Sequence, residues 1–186
     1  DGKLEMLIAN TDYDNPMISI LRNKSKVDSV SFDVILNIVT NKLPRKLKLA
    51  DLDQDGKLDL IIIDGFNEEV SIYKNNSTIG SIAFGNKISY SIGSSPSALS
   101  IADVDGDGLL DILVSIWDNQ VAVFRNKGNL LFDTKINYAV GLSPSHIITG
   151  DLDGDNKQDI IIANYAGSSF SVLKNNSVSG LINFTD

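Results

Sequence analysis

The sequence predicts an all-β protein made of repeated sheets of four antiparallel strands, the blades of a β-propeller. Three observations lead to this prediction. A nine-residue, aspartate-rich segment occurs three times, at intervals of 52 and 48 residues. Each copy is followed by a run of β-branched residues, which favour strands over helices. Each repeat of roughly 50 residues has room for four short strands, as a propeller blade requires.

The same elements follow one another in every repeat. The aspartate segment leads into a run such as LIIID or ILVSI, which is apolar on both faces and is therefore expected to be buried between neighbouring blades. An alternating strand follows, for example Val70–Tyr73, and it ends in a turn rich in basic and amide residues. A looser outer strand passes through a phenylalanine, and a last strand leads into the next aspartate segment.

The repeats divide the chain into four units of one propeller segment, at about 1–43, 44–95, 96–143 and 144–186. Residues 1–5 match the second half of an aspartate segment, so the first unit lacks the first acidic positions. We therefore expect about three and a half blades from a longer array. The alternative is a β-sandwich with ordinary Asp-Gly turns, but turns do not require four acids in register three times.

The three aspartate segments have the composition of calcium-binding loops. They read DLDQDGKLD, DVDGDGLLD and DLDGDNKQD, with acids at positions 1, 3, 5 and 9. Carboxylates this close repel one another unless a divalent cation lies among them. Calcium accepts about six to eight oxygen ligands, which can include the carbonyl at position 7. We predict three calcium ions, held by Asp51, Asp53, Asp55, Lys57 and Asp59; by Asp103, Asp105, Asp107, Leu109 and Asp111; and by Asp151, Asp153, Asp155, Lys157 and Asp159.

Position 6 of each loop must turn sharply and therefore needs a residue that tolerates positive φ. Gly56 and Gly108 meet this need, and Asn156 is the best substitute for glycine. A helical EF-hand loop is the competing interpretation, but it would need a bidentate glutamate at position 12. That position holds aliphatic residues, namely Ile62, Val114 and Ile162.

The composition excludes several kinds of partner and indicates where the protein is located. The formal net charge is −8, and no basic stripe exists that could neutralise nucleic-acid phosphates. The chain contains no cysteine, which excludes disulfides and thiolate chemistry. No apolar run reaches the length of about 18 residues needed to span a bilayer, so no membrane insertion is expected. Because open calcium loops suit millimolar calcium, the sequence favours an extracellular protein, either secreted or at the cell surface.

A possible ligand-binding face lies opposite the calcium loops. Phe66, Trp117 and Tyr165 follow their position-9 aspartates by six or seven residues, in the loop between the second and third strands of a blade. The connections between blades, Ser94–Ser97 and Ser143–His146, should lie on the same face. Exposed aromatic rings beside polar groups can stack on sugars or anchor a protein, so we predict a protein or glycan ligand. The alternative is that these rings fill gaps between blades.

Catalysis has little support in the sequence. His146 is the only histidine, and a nucleophilic triad needs a base held by a partner. A glycosidase needs a pair of carboxylates, and the acids outside the loops occupy no repeated or apolar context. We therefore predict no catalytic residue.

The repeat resembles the FG-GAP or VCBS repeat of integrin α-subunit propellers and of many bacterial surface and secreted proteins. The DxDxDGxxD-type loops, the LDL, LDI and QDI segments after them, and segments such as SVLKNNS carry this resemblance. It implies a seven-bladed propeller whose remaining blades lie outside this chain, with calcium between the first two strands of a blade. It also implies an adhesion or recognition module. Because relatives include secreted polysaccharide lyases and hydrolases, the propeller of such an enzyme is the alternative. The first unit has Glu5 at position 9 and lacks the upstream acids, so it is not counted as a calcium site.

Overall fold

The computed structural model describes residues 4–40, 43–65 and 68–185, and within these ranges every regular element is a β-strand. The strands are β1 (Met6–Asn10), β2 (Met17–Asn23), β3 (Phe32–Val39), β4 (Pro44–Ala50), β5 (Asp59–Asp64), β6 (Glu69–Asn75), β7 (Phe84–Ser91), β8 (Pro96–Ala102), β9 (Asp111–Ile116), β10 (Gln120–Phe124), β11 (Ile136–Ala139), β12 (Pro144–Gly150), β13 (Asp159–Asn164), β14 (Ser169–Asn175) and β15 (Phe184–Thr185). The first sheet has the order β1-β2-β3, and the other three contain β4 to β7, β8 to β11 and β12 to β15. The predicted all-β blades are confirmed. Among the described residues no helix exists that could span a membrane.

All paired strands are antiparallel, and each sheet follows the chain order from its inner to its outer strand. Pro44, Pro96 and Pro144 are the first residues of β4, β8 and β12. A proline at this place removes no essential ladder bond, and the register shifts directly after it in all three sheets. The first strand of a blade therefore begins with a local irregularity and then runs straight into the aspartate loop.

Alternate residues of the second strand in each blade contact opposite neighbours. On β5, Ile61 and Ile63 belong to a cluster that includes Ile112 of the following sheet. Leu60 and Ile62 pack instead in a cluster with Ile18 of the preceding sheet. All six residues of β5, and all six of β9, are buried. Burial on both faces, as the sequence predicted, follows from the stacking of each blade between two others.

Strand β1, which corresponds in the first sheet to the second strand of the other blades, does not follow that prediction. Its residues alternate between exposed and half-buried, and Met6 and Ile8 are exposed. On the last sheet, Ile148 and Phe170 are exposed in the same way. Within the described residues no further sheet covers these two outer faces, so the four sheets form an open stack with apolar end surfaces.

Candidate metal sites and the opposite face

The three metal loops, defined as residues 51–59, 103–111 and 151–159, connect the first and second strands of three successive blades. In each loop the carboxylates at positions 1, 3 and 9 converge, and one oxygen from each lies within 4.8 Å of the others. These groups are Asp51, Asp53 and Asp59; Asp103, Asp105 and Asp111; and Asp151, Asp153 and Asp159. Three convergent carboxylate oxygens could hold a metal ion, and an all-oxygen donor set fits a hard cation such as calcium.

The aspartate at position 1 shapes its own loop. Asp51 accepts a hydrogen bond from the backbone N–H of Gly56 at 2.9 Å, and the residue at position 6 has a φ of 83°. The same 2.9 Å bond and a positive φ are found in the other loops, between Asp103 and Gly108 and between Asp151 and Asn156. The predicted left-handed conformation at position 6 is therefore present in all three loops, including the one that has asparagine.

Position 4 is also left-handed in every loop, a feature that was not predicted from the sequence. Gln54 has a φ of 61°, and Gly106 and Gly154 have φ values of 73° and 83°. The glycines at this position in two of the loops were the sequence signal that could have indicated this conformation. Gln54 tolerates the strained conformation while its Nε2 donates to the carbonyl of Gly108 in the next loop at 2.9 Å.

The aspartate at position 9 connects distant parts of its blade. Asp111 is completely buried; its Oδ2 accepts the N–H of Val104 at 3.0 Å, and its Oδ1 accepts the N–H of Asn126 at 2.8 Å. The equivalent bonds join Asp59 to Leu52 and Asn75, and Asp159 to Leu152 and Asn175. Position 9 therefore fixes the start of the loop to the end of the third strand, in addition to facing the carboxylate group.

Burial changes the pKa of the position-9 aspartate in two of the loops. Burial raises the pKa of Asp111 to about 7, its two backbone hydrogen bonds oppose the shift, and the nearby carboxylates of Asp105 and Asp107 add to it. Burial likewise raises the pKa of Asp59. Without a metal, these carboxylates hold protons more strongly than ordinary aspartates do.

We expect the metal-free protein to lose stability as the pH rises from about 4.5 to 6.5. The unfolded chain releases the Asp111 proton near the ordinary pKa of 3.8, whereas the folded chain keeps it until about 7. The unfolded state then binds fewer protons, so the free energy of unfolding falls by up to about 1.4 kcal/mol per pH unit. Urea unfolding at several pH values measures this slope. Asp111→Asn should flatten it, and an equal slope in both proteins would contradict the assignment.

A basic residue at the end of the third strand pairs with positions 3 and 5 of each loop. Arg125 donates from Nε to Asp105 at 2.7 Å and from Nη2 to Asp107 at 2.9 Å. The equivalent pairs join Lys74 to Asp53 and Asp55, and Lys174 to Asp153 and Asp155. Hydrogen bonding to these lysines lowers the pKa of Asp55 and of Asp153. Part of the negative charge of each loop is therefore balanced by the chain itself.

The remaining predicted ligands lie outside the three-carboxylate groups. Asp55, Asp107 and Asp155 accept the N–H of position 7 at 2.9 to 3.0 Å and face the basic residue. Their coordination of an ion stays a prediction, and so does coordination by the carbonyls of Lys57, Leu109 and Lys157.

Another feature not predicted from the sequence is the role of the residue pairs Lys74–Asn75, Arg125–Asn126 and Lys174–Asn175. They occur 14 to 16 residues after each position-9 aspartate, within the repeated turns YKNNS, FRNKG and LKNNS. The repetition was visible in the sequence, but it was interpreted only as a turn. In the structure, the basic residue and the asparagine of each pair contact the metal loop of their own blade.

The opposite face carries two of the three predicted aromatic residues. The side chains of Trp117 and Tyr165 are 40% and 75% exposed. Their backbone N–H groups donate to Ser95 and Ser143 at 3.0 and 2.9 Å, which places these loops beside the connections between blades, as expected. Phe66 lies outside the described residues.

Comparison with known proteins agrees with this geometry. A family model described as FG-GAP-like repeat matches residues 51–114 and 103–162, and both matches begin at position 1 of a metal loop. Together they cover more than half of the 186 residues. No curated protein sequence matches the chain at a significant level.

Solved structures extend the comparison to the whole chain. BBS1N, in its mercury-soaked crystal structure in complex with ARL6DN, is similar with a TM-score of 0.64 and 14% identity. The match covers 100% of this chain and 50% of that one, so this chain spans half the length of the BBS1N chain. The Photorhabdus luminescens Tc holotoxin pore with the mutation TccC3-D651A matches with a TM-score of 0.49 and 17% identity, over 85% of this chain and 8% of that one. At 14% identity the likeness to BBS1N shows the fold alone.

Proposed function

The chain belongs to the FG-GAP-like repeat family, and on this basis we propose that it is a non-catalytic β-propeller module stabilised by calcium. The observation that carries the proposal is the same group of three carboxylates in three successive blades. Positions 1, 3 and 9 would hold the ion, with further oxygens from positions 5 and 7. The bound ion would supply the positive charge that relieves repulsion among these oxygens.

The chain's own residues prepare each loop for the ion. The position-1 aspartate holds the turn at position 6, and the position-9 aspartate holds the loop against the third strand. Arg125 and its lysine equivalents partly neutralise position 3, which limits the repulsion before metal binds. The loops are thereby preformed, and binding needs little ordering of the backbone.

The proposal includes recognition of a protein or glycan ligand in an extracellular setting. The support is the aromatic-bearing face, with Trp117 and Tyr165 exposed beside serine-containing connections. Aromatic rings bury large areas at little cost in side-chain entropy, and they often anchor interfaces. Further blades of a complete propeller are the second kind of partner, since both end sheets expose apolar residues.

A binding screen tests the recognition function. The whole chain is applied, in calcium, to a glycan array and to a panel of immobilised matrix proteins. Replacing both Trp117 and Tyr165 by alanine should weaken any binding about tenfold or more. The control is Ile79→Ala, which truncates a fully exposed apolar side chain on the β6–β7 turn, at the metal-loop side of the molecule. Absence of binding by the unaltered chain, or equal loss in the control, would contradict recognition by the aromatic face.

A further inference from the structure

Asn126 joins two blades through its side chain. Its Nδ2 donates to the carbonyl of Leu110 in its own blade at 3.0 Å and to the carbonyl of Leu52 in the preceding blade at 2.8 Å. The next pair of blades is joined in the same way by Asn175, through Gln158 at 2.9 Å and Val104 at 2.8 Å. Both asparagines are completely buried, where an unpaired amide or carbonyl is costly.

These bonds continue into the metal loops on both sides. Leu52 lies at position 2 of its loop, between two predicted ligands, and its N–H donates to Asp59 at 3.1 Å. The backbone N–H of Asn126 donates to Asp111 at 2.8 Å. Three hydrogen bonds therefore connect Asp59 to Asp111, by way of Leu52 and Asn126. Three more connect Asp111 to Asp159, by way of Val104 and Asn175.

Two further contacts join neighbouring blades at these loops. The N–H of Gly180, in the outer turn of the last blade, donates to Oδ2 of Asp105 in the preceding blade at 2.9 Å. The Nε2 of Gln54 reaches the carbonyl of Gly108 in the following blade at 2.9 Å. A carboxylate and a turn of the metal loops thus lie within the contact between blades.

We propose that Asn126 and Asn175 are positioning residues that couple neighbouring metal loops, so that an ion in one loop raises the affinity of the next. This proposal rests on the proposed calcium function. An ion held by positions 1, 3 and 9 fixes the backbone at position 2, whose carbonyl then presents a fixed acceptor to the asparagine. The asparagine in turn orients the position-9 carboxylate of its own loop. Coupling of this kind is reciprocal, because it is a free energy shared by both sites.

Asn75 provides a matched control within the same chain. Its N–H donates to Asp59 at 2.8 Å, and its Nδ2 donates to the carbonyl of Leu58 in its own blade at 2.9 Å. Within residues 4–40, 43–65 and 68–185 it has no hydrogen bond to a second metal loop. Replacing Asn75 by alanine therefore removes side-chain bonds inside a blade, to Leu58 and from Ser77, but not a bond between loops.

The test measures calcium binding to the metal-free chain by isothermal titration calorimetry. Asp53→Asn, which impairs the first loop, should weaken calcium binding at the other two loops by about fivefold or more. The same change should have no such effect on the other loops when Asn126 is replaced by alanine, and it should keep its effect when Asn75 is replaced by alanine. If Asp53→Asn leaves the other loops unaffected in the unaltered background, or if Asn126→Ala preserves the effect, the coupling is overturned.

A second measurement does not require the Asn126 variant to fold. In the Asp105→Asn protein, calcium bound to the first and third metal loops should still slow amide hydrogen exchange in residues 125–132 by about fivefold or more. If calcium leaves the amide exchange rates of residues 125–132 unchanged, the proposal is overturned. Binding of calcium to independent loops would refute the coupling alone, whereas no calcium binding by the unaltered chain would refute the metal function itself.

Discussion

Calcium is expected to raise the melting temperature of this chain by about 10 to 30 °C relative to the metal-free protein. Extracellular calcium modules have dissociation constants of about 10⁻⁴ to 10⁻³ M, so 10 mM calcium contributes about 1.4 to 2.7 kcal/mol per site. Three sites together contribute about 4 to 8 kcal/mol. For a chain of this size, each kcal/mol raises the melting temperature by about 2 to 4 °C.

Circular dichroism melts in calcium and in a chelator measure this shift. The matched control replaces the position-3 aspartate of every loop by asparagine, at Asp53, Asp105 and Asp153, and should abolish most of the calcium effect. Magnesium should stabilise less, because it demands a tighter octahedral geometry and gives up its water reluctantly. The same melting temperature in calcium and in chelator would refute metal-dependent stability.

The blades could be predicted from the sequence because their signals are local. The β-branched run after Asp59 or Asp111 lies within a few residues, and so does the glycine or asparagine that turns each loop. Carboxylates at positions 1, 3 and 9 occur in one short segment, so their convergence follows from the spacing. Such features depend on the order of neighbouring residues and on little else.

The connections between blades could not be predicted in the same way. Asn126 lies 74 residues from Leu52, and only the stacking of sheets brings the two together. Arg125 was interpreted only as part of a turn, because its two aspartate partners in the metal loop are 18 and 20 residues away. From the sequence, neutralisation of each loop was expected from the ion alone, whereas in the structure a basic residue already pairs with the carboxylate at position 3.

Burial of β1 was predicted from its apolar composition, but in the structure its residues alternate between exposed and half-buried. An apolar strand is buried on both faces only when a sheet lies on each side, as happens for β5 and β9. Met6 and Ile8 have the residue types of a central strand but are exposed in the described structure. Residue type indicates the capacity for burial, and neighbouring blades decide whether it occurs.

Replacing Asp111 by alanine is expected to lower the free energy of unfolding by about 2 to 6 kcal/mol, even without metal. The change leaves the N–H groups of Val104 and Asn126 without their acceptor in a buried region, at about 1 to 3 kcal/mol each. Against a typical stability of about 5 to 15 kcal/mol, this is a large loss. Urea unfolding followed by circular dichroism measures it. The control is Asp107→Ala in the same loop, which removes the ion pair with the partly exposed Arg125 and the acceptor of the Leu109 N–H, and should cost about 2 kcal/mol or less.

Asp111→Asn separates the two roles of this carboxylate. An asparagine oxygen can accept one of the two buried N–H groups, but its amide nitrogen cannot accept the other. It also removes the cost of burying a charge, which the pKa of about 7 for Asp111 makes evident. The metal-free asparagine variant should therefore lie between the unaltered protein and the alanine variant in stability, while both variants should lose calcium binding at this loop. If alanine destabilises the protein no more than Asp107→Ala does, position 9 serves only the ion, and its hydrogen bonds to the third strand do not support the blade.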